Sequence, residues 1–189
     1  MELFRNLRLR AGRSILTRKS AKTIRKPHYT NFYSIRTIAI VWDASKPEDF
    51  LKLSHFHQEM AERKINVSVF GYFPGKELPN QYTAIRFLTC LKMQEIDFFF
   101  RPLGREAENF ISTRFDVLID INFRKVFPLV YATTLSHAGL KVGIADSKPE
   151  SSPFDLMISM KKPVNLENYI EQVIHYLTMI NSESAKEAV

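Results

Sequence analysis

Acidic and amide side chains close three apolar runs in this chain: Asp43, with Ser45 two residues on, Asp120 with Asn122, and Asp146. If the runs are parallel strands, these groups stand at the carboxyl ends, where open α/β sheets bind ligands, and they could line one shared crevice. Aspartate and asparagine also cap helices and bond turn backbone, and that reading of the same residues is preferred. The loop Asp43–Glu48 holds no glycine, and the chain's 6 glycines form neither GxGxxG nor GxxxxGK[ST]. A phosphate cradle needs glycine so that backbone amides can approach the anion, so no nucleotide cofactor is expected.

Other reactive residue types fall short of a constellation. His55 and His57 are two apart, which on a helix separates them by about 200°, and HExxH is absent, so no metal site is expected. Cys90, the single cysteine, stands among Phe87, Leu88 and Leu91 and reads as a small buried hydrophobe. It excludes an intrachain disulfide and suits a reducing cytosol. Glu106 and Glu108 read as helix-start acids, His137 as an imidazole at a helix C-terminus, and His175 as a packing residue. No nucleophile elbow or triad can be assigned, so no catalytic residue is named and an enzyme is not favoured.

The elements that would position these residues alternate regularly. Thr37–Trp42 is continuously apolar, as in a parallel strand covered on both faces. Ser45-Lys-Pro-Glu48 has capping-box spacing and predicts a helix from Lys46, with Phe50, Leu53, Phe56, Met60 and Ile65 buried. Strands are predicted at 66–72, 84–89, 97–100, 115–122, 140–145 and 154–160, and helices at 106–113, 127–138 and 166–180. At 189 residues the chain can bury roughly 70% of its unfolded surface in one domain. The expected fold is α/β: a single three-layer Rossmann-like domain, residues 35–181, with a mainly parallel sheet. A basic arm, 1–34, precedes it and a polar tail, 182–189, follows.

Charge is divided unevenly along this plan. Residues 1–36 hold ten Lys or Arg and one acid, Glu2, giving +9; the remaining 17 basic and 19 acidic residues give −2. Leu3, Phe4, Leu7, Ala11 and Ile15 recur at helical spacing as one apolar stripe, and Pro27 stops any longer helix. No apolar stretch reaches the about 18–20 residues of a membrane span, and a secretory signal is not expected. An Arg-rich, acid-poor start also has the composition of a mitochondrial transit peptide.

The second half resembles a family of small uncharacterised proteins from Bacteroidota, a domain of unknown function. The likeness lies in Phe115-Asp-Val-Leu-Ile-Asp120, Leu140-Lys-Val-Gly143, Phe154-Asp-Leu-Met-Ile158, and Tyr169 with His175-Tyr-Leu-Thr-Met-Ile180. Ile96-Asp-Phe-Phe-Phe-Arg-Pro-Leu-Gly104 fits the family's aromatic segment. The resemblance implies a bacterial cytosolic protein, which disfavours the transit peptide, and brings no activity or catalytic residue. The run from 115 to 146 is also similar to the acceptor-side half of heptosyltransferases. Those enzymes need a second Rossmann-like half, so the likeness implies shared architecture alone.

Three functions are carried forward. The first is a non-catalytic binding protein whose arm engages RNA or the ribosome, with Arg5, Arg8, Arg10, Arg13, Arg18, Lys19, Lys22, Arg25 and Lys26 on phosphate. Phe4, Tyr29, Phe32 and Tyr33 would add stacking. The second is a peripheral protein on an anionic membrane surface. The third is a small-ligand or enzymatic domain using the crevice at Asp43, Ser45, Asp120, Asn122 and Asp146. The expected location is the cytoplasm, with the ribosome or the inner membrane as the attachment point. Oligomeric state is not legible.

Overall fold

Apolar runs too short for helices pair into six parallel strands in the computed structural model, which describes residues 2–146, 152–161 and 163–180. The strands are β1 Thr37–Asp43, β2 Asn66–Tyr72, β3 Leu88–Leu91, β4 Val117–Asp120, β5 Leu140–Ile144 and β6 Leu156–Ile158. Their order is β3-β2-β1-β4-β5-β6, a Rossmann-like arrangement in which direction reverses between β1 and β4. Ile38 pairs with Val67 on one side and Val117 on the other. The polar tail, 182–189, lies outside the described residues.

Successive residues of a strand face opposite sides, so β1 splits its side chains between two cores. Ile38, Ile40 and Trp42 join Leu53, Phe56 and Met60 of α2 (Glu48–Glu62) and Tyr169, Val173 and Leu177 of α5 (Leu166–Met179). Ala39 and Val41 join Ala107 and Phe110 of α3 (Arg105–Ser112) and Leu129 and Ala132 of α4 (Phe127–Leu135). Covering both faces is what a continuously apolar strand requires.

The N-terminal helix α1, Glu2–Ser20, lies outside α4 as a further layer. Its buried seam is not the predicted stripe, since Leu3, Phe4 and Leu7 are exposed. Leu16 packs with Tyr131 and Leu135 instead, and Gly12, one turn earlier, meets Phe127 and the carbonyl of Phe99. From α1 the chain runs along the amino ends of the strands to α5. There Asn31 Nδ2 donates to the carbonyls of Thr178 and Ile180 at 3.0 and 2.8 Å, closing that helix's C-terminus.

Several predicted boundaries change for local reasons. The helix expected from Lys46 begins at Glu48, because Ser45 Oγ donates to Asp43 Oδ1 at 2.6 Å rather than capping it. The strand expected at 84–89 begins at Leu88; Ala84 has φ +60°, which no strand accommodates. Residues 97–100 form a turn, not a strand. Asp97 Oδ1 accepts from the amides of Phe99 and Arg101 at 2.8 and 2.9 Å, and Phe100 adopts φ +60°. Helix α4 stops at Leu135, not Ala138, and His137 donates its amide to Ile111 O at 3.0 Å. His137 therefore stands beyond the helix end.

Candidate functional site

Asn122 ties β4 to β1 at the reversal of strand order. Its Oδ1 accepts from Asp43 N at 2.6 Å, and its Nδ2 donates to Val41 O at 3.0 Å and to Asp120 Oδ1 at 2.7 Å. Asp120 is buried at the end of β4, with Oδ2 accepting from Thr133 Oγ1 of α4 at 3.1 Å. Burial pushes its carboxyl up to about 6, against the lowering effect of the bonds from Asn122 and Thr133. The same residue's main-chain carbonyl accepts from Tyr169 OH of α5 at 3.1 Å, so one residue links both helical layers. Asp43 Oδ1 holds the Ser45 turn.

Beyond this latch lies a cleft of about 560 Å³ at the carboxyl ends of β4, β5 and β6. Asp120, Asn122 and Asp146 line it, while Asp43 and Ser45 do not, so the five crevice candidates divide in two. Asp146 pairs with Lys125 Nζ across the rim. Phe154 supplies an apolar wall by packing its ring against Gly143, where a Cβ would come within 2.2 Å of the ring. Leu16, Thr17 and Ser20 of α1 form another side, so the arm is part of the cleft. Sequence reading missed Leu16, Phe154 and Met160. The one available signal was Leu16 standing four residues after Gly12, a spacing that brings both onto one helix face.

The nine cationic candidates of the arm also divide. Arg8 Nε donates to Phe98 O at 2.6 Å, and its guanidinium lies 4.4 Å from the ring centroids of both Phe98 and Phe100. Arg25 pairs with Asp155 at 2.5 Å and donates to the carbonyls of Ala138 and Gly139 at 3.1 and 2.9 Å. Lys19 Nζ stands 5.8 Å from the Tyr131 ring centroid. Arg5, Arg10, Arg13, Arg18, Lys22 and Lys26 are exposed, and none makes an ion pair among the described residues. Of the proposed stacking rings, Phe4 packs edge-on against Phe98, and Tyr29 and Tyr33 are exposed. Phe32 is in the core at 3% exposure and cannot stack on a base.

The remaining reactive side chains do not converge on the cleft. His57 stacks on Phe87 with centroids 4.0 Å apart, and His175 lies edge-on to Tyr176. Burial pushes the Cys90 thiol up to about 12, with Glu95 adding to the effect. Among the described residues no group of three His, Cys, Asp or Glu could hold a metal ion. No helix among them is long and apolar enough to cross a membrane.

No curated protein and no solved structure matches the chain. One family model does, over residues 8–180, which takes in most of α1, the whole sheet and α5. The chain thus belongs to the family of unknown function DUF6913.

Proposed function

We propose that the protein binds a polyanion through the solvent face of α1, with single-stranded RNA, such as that displayed by a ribosome in the cytoplasm, as the partner. The observation that carries this reading is the set of arm cations without an ion-pair partner among the described residues. At about 100° per residue, Arg10, Arg13 and Arg18 project within one half of the helix circumference, with Arg10 and Arg18 away from Gly12 and Leu16 and Arg13 flanking that seam. Docking against α4 holds them in a fixed row, which lowers the ordering entropy lost on binding. Phe4, exposed at the end of that row, offers a ring on which an unpaired base stacks.

The test is sedimentation of the full-length protein from native lysate at low and high salt, with and without RNase. Co-migration with RNA that high salt and RNase both abolish is expected. Arg10→Glu, Arg13→Glu and Arg18→Glu together should remove it, since each phosphate no longer neutralised lowers the salt slope by about 0.7 for a single strand. Migration as a free protein under every condition rejects the reading. Flotation on anionic vesicles that needs the exposed Leu3, Phe4 and Leu7 transfers α1 to the membrane-surface reading.

A second reading is supported by the cleft. Its place at the carboxyl ends of parallel strands, with apolar walls and few polar groups, suits a small organic ligand. A metabolite library read by thermal shift should yield a stabilising compound whose effect is lost in Phe154→Ala and Asn122→Ala. Absence of stabilisation by any compound rejects it.

A further inference from the structure

The segment that leaves α1 closes over the opposite edge of the sheet and builds a concavity of about 330 Å³ at the amino ends of β4 and β5. His28 donates its amide to Gly139 O at 2.9 Å, and Arg25 holds the carbonyls of Ala138 and Gly139. Gly139 donates in turn to Phe115 O at 2.7 Å, and a Cβ there would stand 3.0 Å from Asp116 O. Three segments distant in sequence are thereby held together: 24–28, 114–116 and 137–139.

Each segment brings nitrogen donors to the rim. Lys26, His28, Arg114 and His137 all line the concavity, and none has an ion-pair partner among the described residues. One acid, Asp116, itself lines the concavity, and a second, Asp155, lies behind Arg25. Asp116 Oδ2 accepts from Arg36 N, Thr37 N and Thr37 Oγ1 at 2.8, 2.9 and 3.1 Å, anchoring the start of β1. Asp155 is engaged by Arg25 and by the amide of Lys141. Positive charge around a concave site favours a compact oxyanion, and arginine suits phosphate best of all.

We infer that the concavity between Lys26, His28, Arg114 and His137 is a phosphate-binding site. It rests on the polyanion reading for its source: chain continuity from Arg18 through Lys22 to Lys26 carries the cationic row of α1 into the concavity, where one backbone phosphate sets register. Free phosphate is the other source of the same chemistry.

The test uses the full-length protein, with amide signals followed by NMR at constant ionic strength. Inorganic phosphate is titrated in one arm, sodium chloride in a second and a short oligouridylate in a third. Saturable shifts at 24–28, 114–116 and 137–139 with phosphate but not chloride are expected. Exposed Arg114→Gln should weaken phosphate binding by about tenfold, and His137→Gln provides a second variant should the first disturb the fold. Shifts equal to those from chloride, or spread over every arm cation, overturn the site whether or not α1 binds the oligonucleotide. Phosphate shifts confined to the concavity with no response to oligouridylate keep the site, with free phosphate as its source, and reject the polyanion reading of α1.

Discussion

Gly12 of α1 faces the backbone carbonyl of Phe99 so closely that a Cβ would stand 2.4 Å from the oxygen. The same atom would meet the Phe127 ring at 2.9 Å, so neither neighbour leaves room. Glycine weakens an isolated helix by about 1 kcal/mol, and here its missing side chain is what lets the helix dock. Arg8 completes the seam one turn earlier, clamping the Phe98–Phe100 turn from above.

Gly12→Ala should therefore make α1 a better helix and a worse neighbour. Overpacking at this seam is expected to lower stability by roughly 1–2 kcal/mol and to release the helix. Limited trypsin digestion reads this directly: cleavage after Arg10, Arg13 and Arg18 should accelerate, while the body stays intact. Unchanged digestion would mean that α1 is not held by this seam.

Arg25 and Asp155 form a second tether, with side chains only 15% and 9% exposed. Removing one charge from a buried pair leaves the other uncompensated, so Arg25→Ala should destabilise by about 3 kcal/mol in chemical denaturation. Asp155→Asn in the same background should then have a smaller effect than it has alone. Strict additivity would show that the two side chains do not interact.

Asp120 carries a sign that distinguishes it from an ordinary salt-bridged carboxylate. Its folded pKa, about 6, lies above the ordinary 3.8, so the folded state holds the proton more tightly than the unfolded chain. Its contribution is complete below pH 3.8 and is lost as pH rises to about 6, a span worth about 3 kcal/mol. Asp120→Asn, which keeps an acceptor for Asn122, should abolish that part of the pH profile in urea melts. Retention of the full slope would assign it to other groups.

Lys141 gives the opposite case on β5. Its Nζ is buried against Thr134 O at 2.8 Å, and burial, reinforced by Arg25 and opposed by Asp155, lowers its pKa from 10.5 to about 7. The unfolded chain then binds more protons between those values, and stability should rise with pH by up to about 1.4 kcal/mol per unit. Lys141→Met keeps the apolar stem and should flatten the profile over pH 7 to 10.5 while raising stability at neutrality. A profile unchanged by the substitution would remove Lys141 as its source.

The sheet was legible because its central strand β1 is apolar on both faces, a property that short runs such as Ile38–Val41 display without any partner in view. The Asp97–Phe100 turn was not, since three aromatic residues imitate a buried strand and the decisive group is one carboxylate binding two amides. The docking seam of α1 was hidden for a related reason. Hydrophobic periodicity follows Leu3, Phe4 and Leu7, whereas the seam depends on Gly12, whose role is an absence of atoms. Arg8 and Arg25 looked identical to their neighbours, because their partners Phe98 and Asp155 are distant in sequence. Asp120 and Asn122 were visible as a pair, but the cleft they border needed Phe154 and α1 to become a cavity.

The Arg25–Asp155 tether spans 130 residues of chain. Translation at about 5–20 residues per second separates the appearance of its two ends by roughly 6–26 s. Arg25 and the cations around it are made before the α4 surface, the Gly139 carbonyl and Asp155, which appear in turn over the later part of that interval. This basic stretch is thus made before the surfaces that seat it, and its charges stay uncommitted until the body that receives them is complete. Retention of the arm on the body is a property that only the finished molecule possesses.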